Sequence, residues 1–123
     1  MIARSHKDLL VWQKSIDLSE RIYRLTETFP RQEIYGLVAQ MRRAVVSIPS
    51  NIAEGRNRGS RKDYRHFLQM AYGSAAELDT QLLISRRLGF CNHEEASTAE
   101  AHIIEIEKML HVMIERLGES RSL

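Results

Sequence analysis

Apolar residues recur at steps of three and four in four blocks along the chain. That spacing stacks side chains on one face of a helix. In the first block Val11, Ser15, Leu18, Ile22, Leu25 and Phe29 form the stripe, widened by Trp12, Ile16 and Tyr23. Ser5 with Asp8 reads as a capping box, and the residue before Pro30 avoids helical angles, so a helix is predicted over residues 8–29. The second stripe is Ile34, Val38, Met41, Val45, Ile48 and Ile52, predicting a helix over residues 31–54 opened by Pro30 and capped by Gly55. Ser60 with Asp63 caps a third helix, residues 61–88, with Tyr64, Leu68, Ala71, Ala75, Leu78 and Leu82 inside and Gly89 as its left-handed stop. Gly73 sits in that helix's interior, where glycine costs about 1 kcal/mol relative to alanine. Close approach of a neighbouring helix would be a reason to keep it. Asn92 with Glu95 opens a fourth helix, residues 93–117, ended by Gly118. Its stripe is Ala96, Ala99, Ile103, Ile106, Leu110, Met113 and Leu117.

The stretch 42–55 combines three features. Val45, Ile48 and Ile52 share the apolar face, while Arg43, Ser47, Ser50 and Glu54 step along the opposite one. Pro49 between them removes a backbone donor and clashes with the carbonyl four residues earlier, which predicts a kink near residues 45–49. Ser47 or Ser50 is placed to satisfy the freed groups. Ser47, Ser50 and Asn51 could instead form a site, but local capping accounts for all three.

No stretch alternates with period two long enough for a strand. The expected architecture is all-α: an antiparallel up-down four-helix bundle, one domain spanning residues 1–123, about 33–42 Å long. A second apolar set (Trp12, Ile16, Met70, Leu83, Ile84, Ile104, Met109 and Val112) exceeds what one stripe per helix needs, and points to self-association. No apolar run is long enough for a membrane span, and the first eight residues are too polar for a signal-peptide core. Cys91 is the only cysteine, which rules out an internal disulfide and fits a reducing cytoplasm.

Net charge is only +2, but it is unevenly spread. Residues 42–66 carry Arg42, Arg43, Arg56, Arg58, Arg61, Lys62 and Arg65 against Glu54 and Asp63, a net of +5. Residues 94–119 carry seven glutamates against Lys108 and Arg116, a net of −5. The basic set is the candidate surface for RNA or DNA backbone, which would bind it in a sequence-independent, salt-sensitive way. The competing reading is two solvated helix faces. Tyr64 and Tyr72 could offer stacking, though Tyr64 belongs to the core stripe.

Other chemistry is sparse. A di-metal bundle site needs paired Glu-x-x-His helices, and the nearest match is Asp63-Tyr64-Arg65-His66 alone. Zinc spacing is absent, and His93, His102 and His111 fall nine apart on alternating sides of helix four. Cys91 beside His93 does not make a nucleophilic dyad by adjacency. Gly55-Arg56-Asn57-Arg58-Gly59 lacks the phosphate-loop pattern. No catalytic residue, cofactor or metal is expected.

Several motifs together carry a family resemblance: Asp8-Leu9-Leu10-Val11-Trp12-Gln13-Lys14, Phe29-Pro30 with Tyr35-Gly36-Leu37, and Gln40-Met41-Arg42-Arg43-Ala44 through Ser47-Ile48-Pro49-Ser50-Asn51-Ile52-Ala53-Glu54-Gly55. Ala71-Tyr72-Gly73-Ser74-Ala75-Ala76-Glu77-Leu78 and Leu88-Gly89-Phe90 belong to the same set. Over nearly its whole length the chain resembles the small bacterial four-helix-bundle proteins encoded within intervening sequences of 23S rRNA genes. The resemblance implies a homopentameric ring with no established catalytic activity. It also implies kinship with accessory proteins of diversity-generating retroelements, basic pentamers that bind nucleic acid and a reverse transcriptase. This chain is only weakly basic by comparison. Two functional expectations follow: a non-enzymatic oligomer that binds RNA or DNA backbone, or a structural oligomer or protein-partner scaffold with no nucleic-acid role.

Overall fold

The four stripes become four packed faces. A computed structural model of the chain describes residues 5–119; residues 1–4 and 120–123 of the expected domain lie outside the described residues. A 3-10 turn at His6–Asp8 precedes α1 (Leu10–Thr26), and a second at Arg31–Glu33 precedes α2 (Leu37–Arg56). Helices α3 (Arg61–Arg87) and α4 (His93–Gly118) complete the chain, and no strand occurs among the described residues. Each helix packs on the next, α4 returns to α1, and diagonal pairs stay apart. Cross-links fix the antiparallel sense. Ser85 near the end of α3 donates to Met41 near the start of α2 (3.4 Å), and Arg65 near the start of α3 donates to the Ile114 carbonyl near the end of α4 (3.1 Å).

The stripe residues fill the core. Ile22, Met41, Ile48, Leu68, Leu78, Ile106 and Leu110 are all fully buried. Burial at about 25 cal/mol per Å² of apolar surface is what drives the helices together. Two stripes drift at their ends. Ile34, half exposed, stands outside the core, and at the end of α4 Ile114 takes the buried place expected of Met113.

Caps and boundaries follow local chemistry. Ser60 Oγ accepts from Asp63 N (3.0 Å) and Asn92 Oδ1 from Glu95 N (2.8 Å), as their spacing predicts. Gly89 takes φ +75°, the expected left-handed stop. Ser5 instead caps only the first 3-10 turn, through Lys7 N (3.0 Å), and α1 begins later, at Leu10. The second helix also starts later than the periodicity suggests. Gly36 breaks the helical path with ψ −111°, and the Glu33 carboxylate then caps α2 by accepting from Leu37 N (3.2 Å).

Two glycines do the opposite of what their positions suggest. Gly55 is not a left-handed cap; it is helical and buried, and a Cβ there would lie 2.7 Å from Cβ of Phe67. It marks the close crossing of α2 and α3. Gly73, expected at a close crossing, has nothing within 4 Å of its Cβ position.

Pro49 is buried inside a continuous α2. Lacking an N–H, it leaves the Val45 carbonyl without its helical donor. Ser47 and Ser50 turn instead to Ala44 O (2.7 Å) and Val46 O (2.8 Å), and Asn51 Nδ2 donates to Ser47 O (2.8 Å). The Val45 carbonyl has a shared partner, Ser19 Oγ of the neighbouring helix at 3.3 Å, whose shorter contact is Ser15 O on its own helix (2.8 Å).

Candidate nucleic-acid interface

The end of the bundle where α2 meets α3 is built by a short turn. Asn57 closes α2, its side chain donating to Ala53 O (2.7 Å) and lying 3.1 Å from Nδ1 of His6. Gly59 then takes φ +92°, and Ser60 opens α3. Five of the seven candidate cations, Arg56, Arg58, Arg61, Lys62 and Arg65, gather around this turn. The other two do not. Arg42 lies fourteen residues before Arg56 on the same helix, a separation of about 21 Å along its axis.

Their partners differ. Arg42 is pinned between helices: its guanidinium donates to Thr26 Oγ1 (3.0 Å) and Tyr23 O (3.2 Å) and sits 4.5 Å from the centre of the Tyr23 ring. Arg58 pairs with Glu54 at 2.8 Å and lies over the Phe67 ring. Arg61 donates to Arg116 O (2.7 Å) and Arg65 to Ile114 O (3.1 Å), so both serve the carbonyl-rich end of α4. Arg43 and Lys62 are exposed and make no hydrogen bond or ion pair among the described residues. Arg56 stands close enough to Tyr64 to oppose the rise that burial imposes on the phenol's pKa.

The acidic helix is partly spent within the chain. Glu105 pairs with Lys14 (2.7 Å) and Glu100 with Arg86 (3.3 Å). Lys14 holds the Glu105 carboxyl below its ordinary range. On the α3–α4 side, burial and then Glu100 raise the Asp79 pKa, and burial and then Asp79 raise that of Glu107.

Other candidates resolve simply. The half-buried Cys91 packs against the core, and burial pushes its thiol pKa up, which disfavours the thiolate a nucleophile needs. His93 and His111 engage Arg86 (3.2 Å) and the Tyr72 ring respectively. Among the described residues no group of three or more His, Cys, Asp or Glu could hold a metal ion, and no helix is long and apolar enough to cross a membrane. Tyr35, part of the Tyr35-Gly36-Leu37 motif and placed within the predicted second helix, stands instead 96 % exposed on the turn before α2. Besides that motif, its sequence signal is a position between Pro30 and Gly36, too short a span for a stable helix.

Fold and site together define a small all-α bundle protein with a basic end. The chain belongs to the 23S rRNA-intervening sequence protein family, whose model matches residues 7–112. Among solved structures it is similar to a protein of unknown function from the S23 ribosomal protein family of Bacteroides thetaiotaomicron. The two share 27% identity with a TM-score of 0.78, over 86% of this chain and 99% of that one. Comparison with curated proteins gives no match.

Proposed function

We propose that the protein is a non-enzymatic, cytoplasmic, self-assembling bundle, a homopentamer as its family resemblance implies, that holds nucleic-acid backbone at the α2–α3 end. The gathering of five cations around one turn carries this reading. A ring would repeat that end on every subunit, and repeated weak contacts raise apparent affinity by about 10²–10⁴ when they engage together. The contacts fall to Lys62 first, and to Arg58 where phosphate displaces its exposed Glu54 partner; Arg43, about 20 Å away along α2, lies outside this end. Arg61 and Arg65 each commit a donor to α4 but keep further N–H groups, whereas Arg42 is held between α1 and α2. Selectivity would come from nucleic-acid shape or from a protein partner, since phosphate contacts carry no sequence information.

Fluorescence anisotropy with labelled RNA and DNA at two salt concentrations tests it. Arg58→Ala/Lys62→Ala should weaken binding and reduce the slope of log K against log salt by about 0.7–0.9 for each phosphate no longer neutralised. Absent binding at low salt, or unchanged affinity in the double variant, rejects the reading. The structural commitments of Arg42, Arg58, Arg61 and Arg65 favour the second reading, a scaffold for a protein partner, and such a result would leave that one standing.

A further inference from the structure

Two apolar features of the surface lack a partner within the chain. The first is a knob. Ile34 and Tyr35 project from the turn ahead of α2, 50 % and 96 % exposed. The turn is not slack: Ile34 N donates to Arg31 O (3.2 Å), Gly36 N to Glu33 O (3.0 Å), and Glu33 caps the helix that follows. An aromatic ring held out in water by a hydrogen-bonded turn forgoes on the order of 200 Å² of burial. The second is a groove of about 590 Å³ lined by Tyr72 of α3 and Ile104, Glu107, Lys108, His111 and Val112 of α4. Its α4 residues recur by four and three, one position off the core stripe, so α4 carries a second face beside the buried one.

The two features lie on opposite sides of the bundle. The knob belongs to the α1–α2 connection and the groove to the α3–α4 seam, and each helix packs only on its neighbours in that cycle. Their charges are complementary in balance: Arg31, Arg42 and Arg43 outnumber Glu27 and Glu33 on the knob side, and Glu107 with Asp79 outnumbers Lys108 at the groove. Arg31 adjoins the knob, and Arg42 and Arg43 follow on α2. Glu107 lines the groove, its pKa raised by burial and then by Asp79, and a neighbouring cation would relieve that pair of carboxylates. We propose that the Ile34–Tyr35 knob of one protomer seats in the α3–α4 groove of a second copy, with Arg31 facing Glu107. This rests on the self-assembly proposed above and names the surface that performs it. The contact joins unlike patches, so it is head-to-tail: an open assembly keeps one free knob at one end and one free groove at the other, and it builds a ring where its rotation closes, rather than a two-fold dimer.

Light scattering on the full chain tests this with two variants, Tyr35→Asp without a working knob and Val112→Asp without a working groove. Both positions are exposed, and circular dichroism with thermal unfolding verifies that each variant folds. Each variant alone should run at the 14.3 kDa of one chain while wild type runs as an oligomer. Mixed one to one, they should form a dimer and nothing larger, because one intact knob and one intact groove remain and no third subunit can join. A wild type that is itself monomeric sinks the self-assembly reading and this one with it. An oligomeric wild type whose folded variants keep full mass, or monomeric variants that do not pair on mixing, overturns the knob-and-groove contact alone.

Discussion

One substitution, glycine to alanine, should have opposite signs at two helical positions. At Gly55 the new Cβ would lie 2.7 Å from Cβ of Phe67 and 3.3 Å from both Cδ1 and the carbonyl oxygen of Tyr64. Cβ of Phe67 cannot rotate away, so α2 and α3 must separate by several tenths of an ångström. Overpacking of this kind costs about 1–3 kcal/mol, against about 1 kcal/mol regained because alanine favours helix. With a contact this short the upper end applies, and Gly55→Ala should destabilise by about 2 kcal/mol. At Gly73 nothing lies within 4 Å of the added methyl. Only the propensity gain remains, so Gly73→Ala should stabilise by about 0.5–1 kcal/mol. Urea unfolding followed at 222 nm, at one fixed protein concentration because assembly couples to folding, measures both. For a chain of this size each kcal/mol is about 3–6 °C in Tm. A Gly55→Ala protein as stable as wild type would refute the close crossing, and a destabilised Gly73→Ala would show that α3 is crowded where it stands open here.

Three further outcomes follow from the packing. Ile106→Ala, at a fully buried position, should cost about 2–5 kcal/mol in the same denaturation assay, through reduced burial and a cavity. Ser19→Ala should cost about 0.5 kcal/mol, because its hydroxyl is shared between Ser15 O (2.8 Å) and the Val45 carbonyl (3.3 Å), and less in a Pro49→Ala background, where a backbone N–H returns to Val45; a double-mutant cycle reads the difference. The folded-state pKa values of Asp79 and Glu107 are raised, so their ionisation at neutral pH opposes folding, and their contribution to stability improves as pH falls through those values. Asp79→Asn should therefore raise Tm at pH 7, with a gain that shrinks toward about pH 4, where the unfolded carboxyl also protonates.

Repeated apolar spacing made the helices legible. A stripe of six or seven residues leaves little choice of face, and Ser60, Asn92 and Gly89 announce their boundaries through local hydrogen bonds or glycine's freedom at positive φ. Most of the failures depend on what lies across the bundle, and one on a local backbone break. Gly55 reads as a helix end and Gly73 as a close crossing, yet it is Gly55 that crosses a helix and Gly73 that faces open space. Ile34 fits the second stripe, but Gly36 breaks the helix behind it and turns it outward. The basic segment reads as one patch because its residues are close in sequence. Arg61 finds its partner 55 residues away at Arg116, and Arg42 finds its own on α1. A chain read alone counts charges without showing which are already engaged.

Arg61 and Arg65 sit in the opening turns of α3, the end at which a helix's own peptide dipoles repel positive charge. They are tolerated there because the closing turn of α4, with the opposite polarity, lies alongside and takes their donors. Each helix end is thus correct only in the presence of the other. Cutting the chain after Leu110 would remove more than the closing turns of α4, since it would take away both acceptors, strand two cations against the α3 start and fray that helix from its far side. Amide hydrogen exchange at Tyr64 and Arg65 would register the loss of residues some fifty positions downstream.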